Sequence, residues 1–130
     1  MPVVDDEIEH RISRADQCDM LTLSHMDFHA YPQTRLLREE NLMSRIIRLD
    51  LSYNWITSLP QAITECTALT ELWLQYNPLE SIPDGISNLS NLECLDIAST
   101  KVAALPNEMA TMTKLDELDW FDTPLELILL

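Results

Sequence analysis

The sequence predicts an α/β solenoid of about five short parallel strands on a concave face, closed at its N-terminal end by a helix. Three observations carry that prediction. First, "LDLSYNWITSLPQAI" at residues 49–63 returns as "LWLQYNPLESIPDGI" and again as "LDIASTKVAALPNEM", each 23 residues further on. Second, the apolar positions keep one phase throughout: Leu49, Leu72, Leu95 and Leu118; Leu51, Leu74, Ile97 and Trp120; Ile46, Leu69, Leu92 and Leu115. Third, Ile8, Ile12 and Ala15 ahead of the array recur at helical rather than strand spacing. A chain of 130 residues with 46% hydrophobic content is long enough for one domain.

Taken in order, "DDEIEHRISRADQ" places Asp residues near a helix start and an apolar stripe along it, so residues 1–18 read as a helical cap. End units of a stacked array expose what inner units bury, and a cap resolves that exposure. Residues 19–130 form the array. Its first unit, 19–45, is longer, because "LTLSHMDFHAYP" aligns with "LDLSYNWITSLP" at an offset of 28. The extra length predicts a helix in "QTRLLREENLMSR", with Leu36, Leu37, Leu42 and Met43 as its apolar stripe. Units of 23 residues follow at 46–68, 69–91 and 92–114, and a partial one at 115–130.

A period in the twenties with L-x-x-L-x-L-x-x-N resembles the leucine-rich repeats, which build a strand and a return segment per turn. The Leu-Pro step at Pro60, Pro83 and Pro106 is similar to the intracellular 23-residue class found in Ras-suppressor and Scribble-like proteins and in some bacterial effectors. The resemblance implies a protein-binding scaffold. It also implies that Asn54 and Asn77 turn inward to bond backbone groups at the turn, where Thr100 and Thr123 offer fewer hydrogen bonds.

Alternation along each strand puts the leucines inside and their neighbours on the concave face. That face then shows Tyr53, Trp73, Tyr76 and Phe121, with six acids, Asp50, Glu71, Asp96, Glu117, Asp119 and Asp122, against the single base Arg48. Aromatic anchors ringed by carboxylates predict a basic segment of a partner protein as ligand, held at Asp50, Tyr53, Glu71, Trp73, Tyr76, Asp96, Asp119 and Phe121. Packing of the aromatics on one another is the competing reading. Five strands at ~4.8 Å give a face of roughly 20 to 24 Å, about seven residues of extended chain. Trp55 takes the variable slot filled elsewhere by Pro78, Lys101 and Pro124, and two readings stay open: a rim contact, or a ring folded over the longer first unit. Trp120 shares the inward phase of Leu51 and is predicted to be core.

The closing "LELILL" puts Leu127, Leu129 and Leu130 where earlier units are polar or carry proline. Three readings stay open for that apolar end: it folds over its own last unit, it forms the edge of a weak homodimer, or the chain is part of a longer protein. In the last case the array would be the substrate-recognition part of a larger effector, of the kind in which such repeats are coupled to ubiquitin-ligase domains.

Charge and chemistry exclude other classes. With 8 basic and 22 acidic residues the net charge is −14, which repels phosphate backbones and anionic lipid, so neither nucleic acid nor a membrane is expected as partner. The acid-rich start and the lack of an apolar segment behind it predict a cytoplasmic chain, or by the effector resemblance one delivered into a host cell. Cys18, Cys66 and Cys94 lack metal or disulfide spacing. Cys94 and His25, the best nucleophile and base, fall three strand spacings apart, roughly 14 Å, where about 3 Å is needed. His25 and His29 read as polar turn residues, and the single Gly85 cannot build a phosphate loop. No enzymatic activity, cofactor or metal is predicted.

Overall fold

The computed structural model describes residues 2–32 and 40–126. Helix α1, Pro2–Cys18, leads into strand β1, Met20–Thr22; helix α2, Glu40–Arg45, leads into β2, Arg48–Asp50; then come β3, Glu71–Trp73, β4, Cys94–Asp96, and β5, Glu117–Asp119. The five strands form one sheet in the order β1-β2-β3-β4-β5, and every pair is parallel. No helix among the described residues is long and apolar enough to cross a membrane.

The 23-residue period becomes spatial register. Leu21, Leu49, Leu72, Leu95 and Leu118 stand opposite one another across the sheet, and all but the last are buried. Because each unit buries the same residue at the same depth, every leucine packs on the copies before and after it, and one core runs the length of the stack. Each return segment starts at the Leu-Pro step. The carbonyls of Pro60, Pro83 and Pro106 accept from the N–H groups of Ile63, Ile86 and Met109 at 3.0 to 3.2 Å, opening 3₁₀ turns at Gln61–Glu65, Asp84–Asn88 and Asn107–Thr111. Proline suits that position because its fixed φ matches the turn's entry and its missing N–H leaves no donor unmatched.

The predicted cap is present. α1 lays Ile8, Ile12 and Ala15 into the core beside Leu21, and Arg11 on the same helix donates to the carbonyls of Thr22, 3.0 Å, and Ser24, 3.3 Å. The helix therefore covers the apolar end and also satisfies acceptors along the open edge of β1. In the expected second helix, α2 buries Leu42 and half-buries Met43; Leu36 and Leu37 lie outside the described residues.

After each strand the chain turns through a residue in the left-handed region: His25, Tyr53, Tyr76, Ser99 and Asp122, with φ between 54° and 60°. None is glycine. Their N–H groups extend the ladder, His25 to Ser52 O, Tyr53 to Gln75 O, Tyr76 to Ala98 O and Ser99 to Phe121 O. The next residue closes the turn. Asn54 Nδ2 donates to the carbonyls of Leu23 and Leu51 at 2.9 and 3.0 Å, while its Oδ1 accepts from Met26 and Phe28, so one amide joins two units. Asn77 does the same with Leu51, Leu74 and Ile56. Thr100 and Thr123 bond only within their own units, to Ile97 and Trp120.

Loss of the asparagine strands several buried backbone groups, each worth about 1 to 3 kcal/mol when left unpaired. Asn54→Ala is therefore expected to destabilise the fold by about 2 to 4 kcal/mol and Thr100→Ala by about 1 kcal/mol. Urea denaturation of the two variants beside the unmodified chain gives the comparison; equal losses would show that the amide does not join the units.

Candidate functional site

Two rows of side chains cross the concave face, set by the strand register. At the strand ends stand Thr22, Asp50, Trp73, Asp96 and Asp119, so Trp73 sits with a carboxylate on either side. At the strand starts stand Met20, Arg48, Glu71, Cys94 and Glu117. Here the sequence-derived site needs adjustment: Arg48 pairs with Glu71 across β2 and β3, so Glu71 already has its counter-ion on the protein.

The row of Trp73 is held differently. Asp50 Oδ1 accepts from the Ser52 N–H and hydroxyl at 2.9 and 2.6 Å, Asp96 Oδ1 from the Ala98 N–H at 3.0 Å, and Asp119 Oδ1 from the Phe121 N–H at 3.0 Å. Each carboxylate is thus aimed by its own backbone two residues on, and among the described residues none of the three has a basic partner. Burial, then the neighbouring charges of Asp119 and Asp50, raise the Asp96 carboxyl above its ordinary value, against the hydrogen bond from Ala98. Ser52 and Ala98 are buried, although strand alternation continued past the strand ends would turn them outward, because the chain has already left the strand and tucks them beneath these carboxylates.

A third row is formed by the left-handed turn residues. His25 stacks on Tyr53 with ring centroids 4.4 Å apart, and Tyr53 stacks on Tyr76 at 4.5 Å. Ser99 and Asp122 continue the row through a 3.0 Å hydrogen bond. The aromatics do pack on one another, as the competing reading held, yet Tyr53 and Tyr76 remain 44% and 50% exposed, so stacking does not remove them from solvent. Trp55 is 55% exposed, and the ring of His29 in the longer first unit lies parallel to it at 6.2 Å. Between the tyrosine row and the row of Trp55, Pro78 and Lys101 lies a groove of about 640 Å³, floored by Asn54, Asn77 and Thr100. Asp27 and Asp122 stand in its first and last units. The sequence did not reveal this groove, although the offset that aligns His25 with Tyr53 was visible.

The last unit departs from expectation. Trp120, predicted to be core, is 38% exposed, since its phase turns it inward but no later described unit covers it. Beside it Phe121 is 78% exposed. Leu127, Leu129 and Leu130 lie outside the described residues.

A strand in each unit, an inward asparagine or threonine in four of them and a proline-led return in three, stacked in parallel register, leave one scaffold to consider. The family signature described as leucine rich repeats in two copies matches residues 44–89 and 67–108. The chain belongs to the leucine-rich repeat family. As such it has the fold of a protein-interaction module. A leucine-rich repeat protein of Leptospira interrogans is similar in structure, with a TM-score of 0.67 and 26% identity over 86% of this chain and 34% of that one. The leucine-rich repeat domain of a Shigella effector shares the fold at a TM-score of 0.57 and 23% identity over 95% of this chain and 59% of that one. The chain therefore spans about a third of the first protein and three fifths of the second. No curated protein matches its sequence.

Within this repeat array the cysteines are poorly disposed to react. Burial pushes the Cys66 thiol up to about 11, with Glu65 adding to it. Cys94 also reaches about 11, through burial first and then Glu117 and Glu71. Both stay protonated at neutral pH, where a nucleophile needs the thiolate. Of the three cysteines, exposed Cys18 alone is expected to react rapidly with a thiol-labelling reagent near neutral pH, half-buried Cys94 slowly, and buried Cys66 only on unfolding. Rapid labelling of a second thiol in the folded chain would contradict this placement.

Proposed function

We propose that the chain binds a basic segment of another protein across its concave face. The observation that carries this reading is the register Asp50–Trp73–Asp96, a half-buried indole between two carboxylates that lack a basic partner. A guanidinium or ammonium group laid on the indole would meet a cation–π face and two acceptors at once, which is how aromatic and acidic side chains jointly hold Arg or Lys. Tyr53 and Tyr76 supply a second aromatic contact along one side, and Asp119 and Phe121 extend the surface at the far end. The Arg48–Glu71 pair removes Glu71 from the binding set and leaves it as a border.

The free cysteines agree with a reducing, cytoplasmic setting.

Two measurements test the proposal. Short peptides rich in Arg and Lys, titrated by fluorescence anisotropy, are expected to bind with an affinity that falls as salt shortens the screening length from ~8 Å toward ~3 Å. Trp73→Ala is expected to weaken them about tenfold or more. Binding indifferent to salt and to Trp73 would sink the idea. The second concerns stability. With its affinity for the proton raised by folding, Asp96 holds its proton to higher pH in the folded chain than in the unfolded one, so its charged form opposes folding at neutral pH. That opposition fades as pH falls below the ordinary carboxylate range, where both states are protonated. Asp96→Asn is therefore expected to raise the urea midpoint at neutral pH, with the gain shrinking in acid; a gain that grew on acidification would have the wrong sign.

A further inference from the structure

We propose that the groove between the tyrosine row and Trp55 takes a proline-containing stretch of the same partner segment, in polyproline II conformation. The inference rests on the basic-segment reading and adds the shape of the ligand.

Its walls are the first reason. Tyr53 and Tyr76 form one side, Trp55 and Pro78 the other, and all four are flat, rigid groups. Aromatic-lined grooves of this composition favour polyproline II chains, which are pre-ordered and so lose little entropy on docking. The second reason is the spacing. From His25 to Tyr76 the stack advances in two steps of 4.4 and 4.5 Å. One polyproline II turn advances about 9.3 Å and returns the same side chain, so its period matches two units of the array. A β-strand repeats every ~6.7 Å, between one unit and two, so its side chains would meet equivalent wall positions only at every third unit.

Hydrogen bonding is the third reason. A polyproline II chain has no internal hydrogen bonds and needs outside donors for its carbonyls. Trp55 Nε1–H and the hydroxyls of Tyr53 and Tyr76 make no hydrogen bond among the described residues, and all three residues line the groove. Charge supplies the rest: Asp27 and Asp122 stand in the end units and Lys101 is the only Lys or Arg among the described residues lining the groove, beside His25, which favours a ligand with basic residues flanking its prolines.

The test begins with selection of random displayed peptides on the intact chain. Enrichment of proline together with Arg or Lys is expected. A selected peptide and its Pro→Ala counterpart are then titrated against the unmodified chain, Trp55→Ala, Tyr76→Gly and Trp73→Ala. Tyr76→Gly removes the ring while suiting the left-handed backbone at φ 60°, so the fold is retained. Proline replacement is expected to cost about tenfold or more on the unmodified chain and on Trp73→Ala, and almost nothing on Trp55→Ala or Tyr76→Gly, where the groove is already lost. A proline effect undiminished by Trp55→Ala and Tyr76→Gly overturns the groove assignment. Basic peptides without proline that depend on Trp73 alone overturn it too, while leaving the basic-segment reading in place. Peptides enriched in neither basic residues nor proline overturn both.

Discussion

The structure depends on how each unit leaves its strand. A parallel ladder can be continued only while successive units run side by side, and the turn to the convex side breaks it, leaving carbonyls such as Leu51 O without a strand partner in a place water does not reach. The asparagine amide fills that gap from three residues on, and the residue just before the asparagine takes a left-handed conformation to bring it there. That residue's side chain is then thrown outward. The inward asparagine and the outward tyrosine are two sides of one constraint, and the aromatic row of the candidate site is a by-product of solving the backbone problem.

The same constraint explains the difference between the two ends of the array. Where asparagine gives way to Thr100 and Thr123, the side chain bonds only within its own unit and the amide bridge lapses. Backbone ladder bonds such as Ile97 N to Asp119 O at 2.9 Å remain, so the units stay in register. At the other end α1 both covers Leu21 and feeds Arg11 to open carbonyls. The proposed binding surface thus lies on the firmly bridged side, centred on Tyr53, Trp73 and Tyr76, which is where fixed side chains lose least entropy on engaging a ligand.

Periodicity made most of the scaffold legible. Leu49, Leu72 and Leu95 recur because each faces an equivalent neighbour, so sequence offset translates directly into strand register, and the cap followed from the change to helical spacing at Ile8 and Ile12. Three features escaped for separable reasons. Trp120 shows that phase gives direction but not coverage, which depends on what packs outside the last strand. The Arg48–Glu71 pair depends on two long side chains reaching across strands, and no period encodes that. The His25–Tyr53–Tyr76 stack needs a left-handed backbone at residues that do not favour it, and with no glycine at those positions the usual signal was absent.

The spacing of the acids gives Trp73 a second role. Like charges on adjacent strands lie ~4.8 Å apart, well inside the ~8 Å screening length, and repel; two strands apart they lie beyond it. Asp96 and Asp119 are adjacent, whereas Asp50 and Asp96 are separated by the indole. The charge contributions raising the Asp96 carboxyl fall in that order, Asp119 ahead of Asp50. Trp73 therefore acts as a spacer beside its proposed role as a contact: it lets two carboxylates share one face with little mutual cost while leaving both within reach of a single cation between them. A basic side chain in that slot would gain from both acids and relieve the repulsion on Asp96, and it is the same charge that the proposed contact with the indole would hold.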